Sequence, residues 1–270
     1  MEIRMKITPN QFAWIFLIVL IGLLGWGGYA IYQFFKNPAE KILSIENERK
    51  FGEMIAEASF SEEAGYKRIS HPYVDSCIQV MHDRLLEAMG GSRYQYELTV
   101  VNQQDANAFA IPGGRIYIHT GLLQFCHSAE EVAAVLAHEM GHVEHRHTVN
   151  NIVKQLGIET IISILAGGSG IENASGMLLS NYFSREDESE ADDFALSLLE
   201  KAGIKPSLLG EVFSRMKHEH GDLEGAMNLL STHPELEERS KKSSGYEVSP
   251  TFREKTLGIN WEKMNQVLNP

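Results

Sequence analysis

The chain has 270 residues, with 36 acidic against 24 basic side chains and a formal net charge of -12. That acidic balance argues against a nucleic-acid partner, and the apolar content is that of an ordinary globular protein. A chain of this length can bury roughly 70% of the surface its unfolded form exposes, so one folded domain needs no covalent staples. The two cysteines, Cys77 and Cys126, lack metal-ligand spacing and are too few for a disulfide framework. They form one bridge or remain two buried thiols; the sequence leaves both readings open.

In chain order, a short flank (1–11) precedes the apolar run from Phe12 to Phe35, which carries no charged residue. As a helix it is long enough to cross a hydrocarbon core of roughly 30 Å, and Trp14, Trp26, Tyr29 and Tyr32 lie toward its ends, where amphipathic rings prefer to sit. The region after Gly25 has no clear small-x-small cleavage site, which favours an uncleaved anchor over a signal peptide. No cysteine of a lipoprotein anchor follows it. Asn37-Pro38 breaks the helix. Residues 40–240 then read as one folded domain, and 241–270 as a peripheral tail with a short helix around Trp261.

Within that domain Ile42 to Phe60 reads as an amphipathic helix. Asp75 to Met89 reads as another, with Val74, Ile78, Met81, Leu85 and Met89 on one stripe. Three strands follow, at Tyr96 to Val101, Ala106 to Ile111 and Arg115 to Thr120, the last two joined as a hairpin by Pro112-Gly113-Gly114. The expected fold is α+β and mostly helical, with a small β-layer.

Ala137-His138-Glu139-Met140-Gly141-His142 is the central stretch. Four helical residues turn the chain so that His138 and His142 point about 40° apart, one turn above the other. Two imidazoles placed so can share one metal ion, and Glu139 beside them is placed to take a proton from water rather than to bind the ion. Ser128 is a good N-cap, with Glu130 and Glu131 in the first turn. Ala133, Ala134, Ala137 and Gly141 let a metal and a neighbouring helix come close.

His145 and His147, two apart on a continuing helix, cannot face the same ion as His142 and read as surface residues, the minor alternative being support of a ligand from behind or adventitious metal contact. Ile152 to Ala166 reads as part of a core-packing helical hairpin, or as a mobile lid or membrane-dipping element over the cleft. Gly167-Gly168-Ser169-Gly170 turns the chain before Met177 to Phe183.

The acidic segment from Ser184 to Asp192 supplies a third ligand. Glu188, Asp192, Ala195 and Leu199 share the inward stripe with Ala191, whereas Glu190 lines up with Ser197 and Lys201 on a solvent-facing row. Glu188 is therefore the expected ligand. Asp192, one turn on, is the carboxylate that would orient a histidine by accepting its other ring N–H. Ala202-Gly203-Ile204 ends this helix and Pro206 opens the next. His119, His127, His218 and His220 read as ordinary polar residues.

Four blocks in this order carry a family resemblance: Asn107-Ala108-Phe109-Ala110-Ile111-Pro112-Gly113-Gly114, the HEMGH, Ser184-Arg185 through Glu188 to Asp192, and Ser231-Thr232-His233-Pro234 with Arg239. From about Ile45 to Arg239 the chain resembles the membrane-associated zinc metallopeptidases of the HtpX, BepA and CAAX-prenyl-endopeptidase type, metallopeptidase family forty-eight. A third histidine six residues past His142, as in metzincins, is missing; Thr148 stands there.

The resemblance implies a zincin-like (gluzincin) domain binding one Zn2+ through His138, His142 and Glu188. It implies a substrate-binding sheet edge at Asn107, Ala108 and Phe109, to which an extended polypeptide adds as a strand. It also implies a role for His233 in oxyanion support or as a reversible fourth ligand, and for Arg239 in contacting substrate backbone or the oxyanion. The expected protein is a membrane-anchored zinc endopeptidase for misfolded or unassembled envelope proteins, in a bacterial inner membrane with its catalytic domain on the periplasmic side. The competing reading is an envelope chaperone or assembly factor with a latent or structural metal. Oligomeric state is not readable from the sequence.

Overall fold

A computed structural model of the chain describes residues 9–36, 39, 43–180, 183–219, 233 and 235–268. Asn37-Pro38, His220 and the Ser231, Thr232 and Pro234 positions of the fourth block lie outside the described residues.

α1 (Pro9–Lys36) is a continuous 28-residue helix, and its described side chains, from Trp14 to Tyr29 with Tyr32, are almost all exposed. Among the described residues no helix is long and apolar enough to cross a membrane. α2 (Ile45–Ser59) begins later than the sequence suggests, because Ser44 caps it by accepting from the Asn47 N–H at 3.2 Å. α3 (Pro72–Met89) has proline in its first turn and ends at Gly90, whose left-handed φ of 77° satisfies the terminal carbonyls.

The strands are β1 (Glu97–Val101), β2 (Ala108–Ile111) and β3 (Arg115–His119). They form a three-stranded sheet in the order β1-β3-β2, with β1 parallel and β2 antiparallel to β3. The expected hairpin is present, although Thr120 leaves it to open α4 (Thr120–Phe125). β2 is an edge strand.

Alternation along the strands divides the core. Ala108, Ala110, Ile116 and Ile118 face one apolar cluster, shared with α3, α5 (Ala129–Glu144), α9 (Arg185–Ala202) and α10 (Ser207–Glu219). Ile111 and Tyr117 face a second cluster, shared with α2, α6 (His147–Leu156), α7 (Ile158–Leu165) and α8 (Ile171–Ser180). The expected hairpin at Ile152 to Ala166 is thus core-packed, broken by Gly157, and buries Ile152, Ile161 and Ile164.

α11 (Leu236–Ser244) and α12 (Trp261–Leu268) complete the chain. The tail is not peripheral. Leu257 and Met264 are buried in the first cluster, and the Trp261 indole donates to the Cys126 carbonyl at 2.8 Å. Arg84 on α3 reaches the carbonyls of Ala202, Lys255 and Thr256. Cys77 and Cys126 are free and buried, so the bridge reading is not realised.

Candidate active site

α5 and α9 lie against each other and present the site between them. α5 starts at its Ser128 cap, and α9 starts in a capping box between Ser184 and Asp187 and ends at Gly203. Small residues let the helices meet. A Cβ placed on Gly141 would sit 2.9 Å from both the Cα and the carbonyl oxygen of Ala191.

His138, His142, Glu188 and His233 each offer one ligand atom, all within 4.8 Å of one another, and all four residues are buried. The Nε2 atoms of His138 and His142 are 3.0 Å apart. Glu188 places its two carboxylate oxygens each 3.5 Å from one of them. The opposite ring nitrogens are engaged: His138 Nδ1 lies 3.0 Å from Asp192 Oδ1, and His142 Nδ1 lies 3.0 Å from His147 Nδ1. With an N–H on each engaged side, the two Nε2 lone pairs face one another in a buried space. That juxtaposition is repulsive without a cation between them. The donor set therefore fits a divalent metal of the zinc type, whose imidazole and carboxylate bonds run at about 2.0–2.2 Å.

The electrostatics agree. Burial holds the His138 imidazole below its ordinary pKa, with Arg239 adding to the effect, and burial with the neighbouring histidines holds His142 well below. Both are therefore neutral imidazoles. Burial by itself pushes Glu188 up, but His233, Arg239 and His138 together outweigh it and keep the carboxylate ionised. Burial raises Glu139 to about 7. Its Oε2 accepts from the Ala110 N–H of β2 at 3.1 Å, while its Oε1 is buried without a hydrogen-bond partner, 3.7 Å from His233 Nε2.

Arg239 on α11 is buried and engaged. It makes a two-pronged contact with Asp192 at 2.8 and 2.7 Å, pairs with Glu188, and lies over the Phe213 ring at 4.3 Å. In the structure its guanidinium is held by these two carboxylates. His233 Nδ1 stands 2.8 Å from Glu188 Oε1 and 3.4 Å from His138 Nε2, inside the ligand cluster. Asn107 is buried with its Oδ1 unpartnered, Ala108 is buried, and Phe109 packs on Tyr117 at 5.3 Å.

The expected surface position of His147 is corrected. It is buried, touches His142, and sets its Nε2 3.3 Å from Glu190 Oε2. Arg146 explains the difference: its φ of 59° ends α5 and restarts the chain as α6, so the helical period does not run through it. Glu190 accordingly faces these histidines rather than a solvent row. His119 is also buried, with Nδ1 2.7 Å from Asp105 Oδ1. Sequence reasoning missed Phe183 as well, whose ring stacks on His142 at 3.9 Å.

Residues 72–247 match the profile of Peptidase family M48. The chain belongs to this family. That places it among the metallopeptidases, in agreement with the His and Glu cluster. It is 28% identical to the mitochondrial metalloendopeptidase OMA1 of Schizosaccharomyces pombe over 250 residues, 86% of this chain and 71% of that protein. It is 32% identical to the metalloprotease LoiP of Escherichia coli, covering 51% of this chain and 57% of LoiP. It is 27% identical to a putative beta-barrel assembly-enhancing protease of Vibrio cholerae, covering 63% of this chain and 38% of that protein. The chain thus spans well under two thirds of the length of several relatives.

Proposed function

We propose that this M48 protein is a zinc-dependent endopeptidase that hydrolyses extended polypeptides along the edge of β2. The observation that carries this reading is the buried triad of His138, His142 and Glu188, with Glu139 fixed beside it by the Ala110 N–H. A zinc ion in that triad supplies a Lewis acid that polarises a scissile carbonyl and lowers the pKa of water from about 15.7 toward about 7.

The protein's own groups do the rest. Glu139 accepts the proton of the attacking water and returns it to the leaving amine. Asp192 orients His138, His147 orients His142, and Arg239 positions Glu188 and Asp192 rather than touching substrate.

Register supports β2 as the docking edge. His119 donates its N–H to the Asn107 carbonyl at 3.0 Å, so that carbonyl and the main-chain groups of Phe109 and Ile111 point at β3. Ala108 and Ala110 therefore point theirs away. Ala110 uses its N–H on Glu139 and its carbonyl on the Thr148 hydroxyl, which leaves Ala108 to pair with a substrate strand. Asn107 is the side chain at hand to steady that strand.

In this reading the apolar run from Phe12 to Phe35, part of whose side chains lie outside the described residues, serves as a single-pass anchor. That run is uncharged, and among the described residues it carries nearly all the large exposed apolar side chains, the exceptions being Val80, Ile162 and Val248. The setting inferred is a bacterial inner membrane, with the catalytic domain on the periplasmic side and misfolded or unassembled envelope proteins as substrates. A relative named for β-barrel assembly supports that quality-control setting.

The test is casein cleavage by the detergent-solubilised chain. Activity abolished by a chelator, restored by zinc, and lost in Glu139→Gln with zinc retained fits the reading. A Gln variant that cleaves at the wild-type rate overturns it.

His233 favours a second feature, an idle state. It lies in the ligand cluster, where it fills space a substrate carbonyl needs. His233→Ala should therefore raise peptide cleavage if His233 is a reversible fourth ligand, and lower it if His233 supports the oxyanion. The latent-metal chaperone reading would be favoured by prevention of aggregation that persists in Glu139→Gln.

A further inference from the structure

We propose that His145, His147 and Glu190 form a second site for a zinc-class divalent ion, at the surface and distinct from the buried triad. The three residues offer one ligand atom each within 4.8 Å of one another. Glu190 Oε2 is 3.7 Å from His145 Nδ1 and 3.3 Å from His147 Nε2. A tetrahedral zinc with bonds of about 2.0–2.1 Å sets its ligand atoms about 3.3 Å apart, so these separations need little adjustment.

The fold builds this arrangement. On one regular helix His145 and His147 would point to nearly opposite sides. The left-handed Arg146 between them turns the chain instead, so that their rings stack with centroids 5.4 Å apart and planes 18° apart. Phe194, edge-on at 5.9 Å, holds the His145 ring. Glu190 comes from α9, so the site ties α9 to the α5–α6 junction.

Its chemistry and access are those of an exchangeable site. Two imidazoles and a carboxylate select zinc-class ions over calcium or magnesium, which prefer all-oxygen shells. Asp187 Oδ1, 3.6 Å from His147 Nε2, adds negative charge. The His145 and Glu190 side chains are 40% and 34% exposed, which gives an ion a route in and leaves room for water on it.

The site shares an imidazole with the buried centre. His147 Nδ1 touches His142 while its Nε2 faces Glu190. An ion on Nε2 draws that ring toward the surface and takes from His142 the partner that orients it. Excess zinc should therefore depress peptidase activity. This consequence rests on the proposed function, whereas the site itself does not.

The experiment is equilibrium dialysis of the tag-free, full-length protein in detergent, against trace zinc and against zinc in large excess. Metal per chain is then counted by mass spectrometry. Wild type should hold one ion at trace zinc and two in excess. His145→Ala should keep the first ion and lose the second, with second-site affinity down by tenfold or more. The proposal is overturned if wild type gains no second ion, or if His145→Ala gains it equally. Failure of the peptidase reading would appear separately, as an unchanged metal count without peptide cleavage.

Discussion

The carboxylate of Glu139 accepts a hydrogen bond from the main-chain N–H of Ala110 at 3.1 Å, which ties the proton acceptor on α5 to the edge strand β2. The same carboxyl is buried and raised to about 7 from an ordinary value of 4.5, so in the metal-free protein the folded state holds its proton after the unfolded state has released it. Stability from this group is therefore fully present below pH 4.5 and is lost as pH rises through about 7. At about 1.4 kcal/mol per unit, the penalty above that window is about 3 kcal/mol. Urea unfolding of metal-stripped protein should show Glu139→Gln more stable than wild type by up to that amount near pH 8, with little difference near pH 5. Equal differences at both pH values would remove the buried-carboxyl account.

Gly141 is the contact on which the two ligand helices close. An added methyl meets the Ala191 backbone at 2.9 Å, and a backbone cannot swing aside as a flexible side chain does. Gly141→Ala should cost about 1–3 kcal/mol and weaken metal binding, because α9 carries Glu188. Gly176→Ala, also helical but with nothing among the described residues within 4 Å of the new methyl, is the control and should be neutral or mildly stabilising. Thermal unfolding of the two variants side by side decides it.

His147 supports His142 from behind. Its removal leaves the His142 ring free to turn, so His147→Ala should lower affinity for the buried metal by about 10- to 100-fold. Chelator competition measures this directly. His145→Ala, which leaves the His142 contact in place, should not change the affinity of that first ion.

Glu48 and Arg146 form a buried pair, with the Arg146 Nη2 atom 2.8 Å from Glu48 Oε2 and 2.7 Å from the Leu43 carbonyl. Tyr94 and the Gly113 N–H also donate to Glu48. Arg146→Met should lose about 3–5 kcal/mol by stranding the carboxylate. Adding Glu48→Gln should recover part of that loss. A double-mutant cycle in urea gives the coupling, and simple additivity would contradict it.

The helical stripe of α9 was legible because Glu188, Asp192, Ala195 and Leu199 keep one period through an uninterrupted helix. Capping by Ser128 and the turn at Pro112-Gly113-Gly114 were legible for a similar reason, since each is set by residues adjacent in sequence. His147 was not. The period that excluded it assumed one helix, and a left-handed non-glycine residue at Arg146 leaves no compositional mark. The packed tail was equally hidden, because Leu257, Trp261 and Met264 find their partners on distant helices.

The sequence alone determined that His138 and His142 lie one turn apart and that Glu188 and Asp192 share the inward stripe, because helical spacing along α5 and α9 is a local property of the chain. Only the tertiary structure decided that Arg239 serves Asp192 and Glu188, that His233 enters the ligand cluster, and that Ala110 holds Glu139. Those relations join segments tens of residues apart. Burial and hydrogen-bond geometry select them, and neither is written in the spacing of residues along a single element.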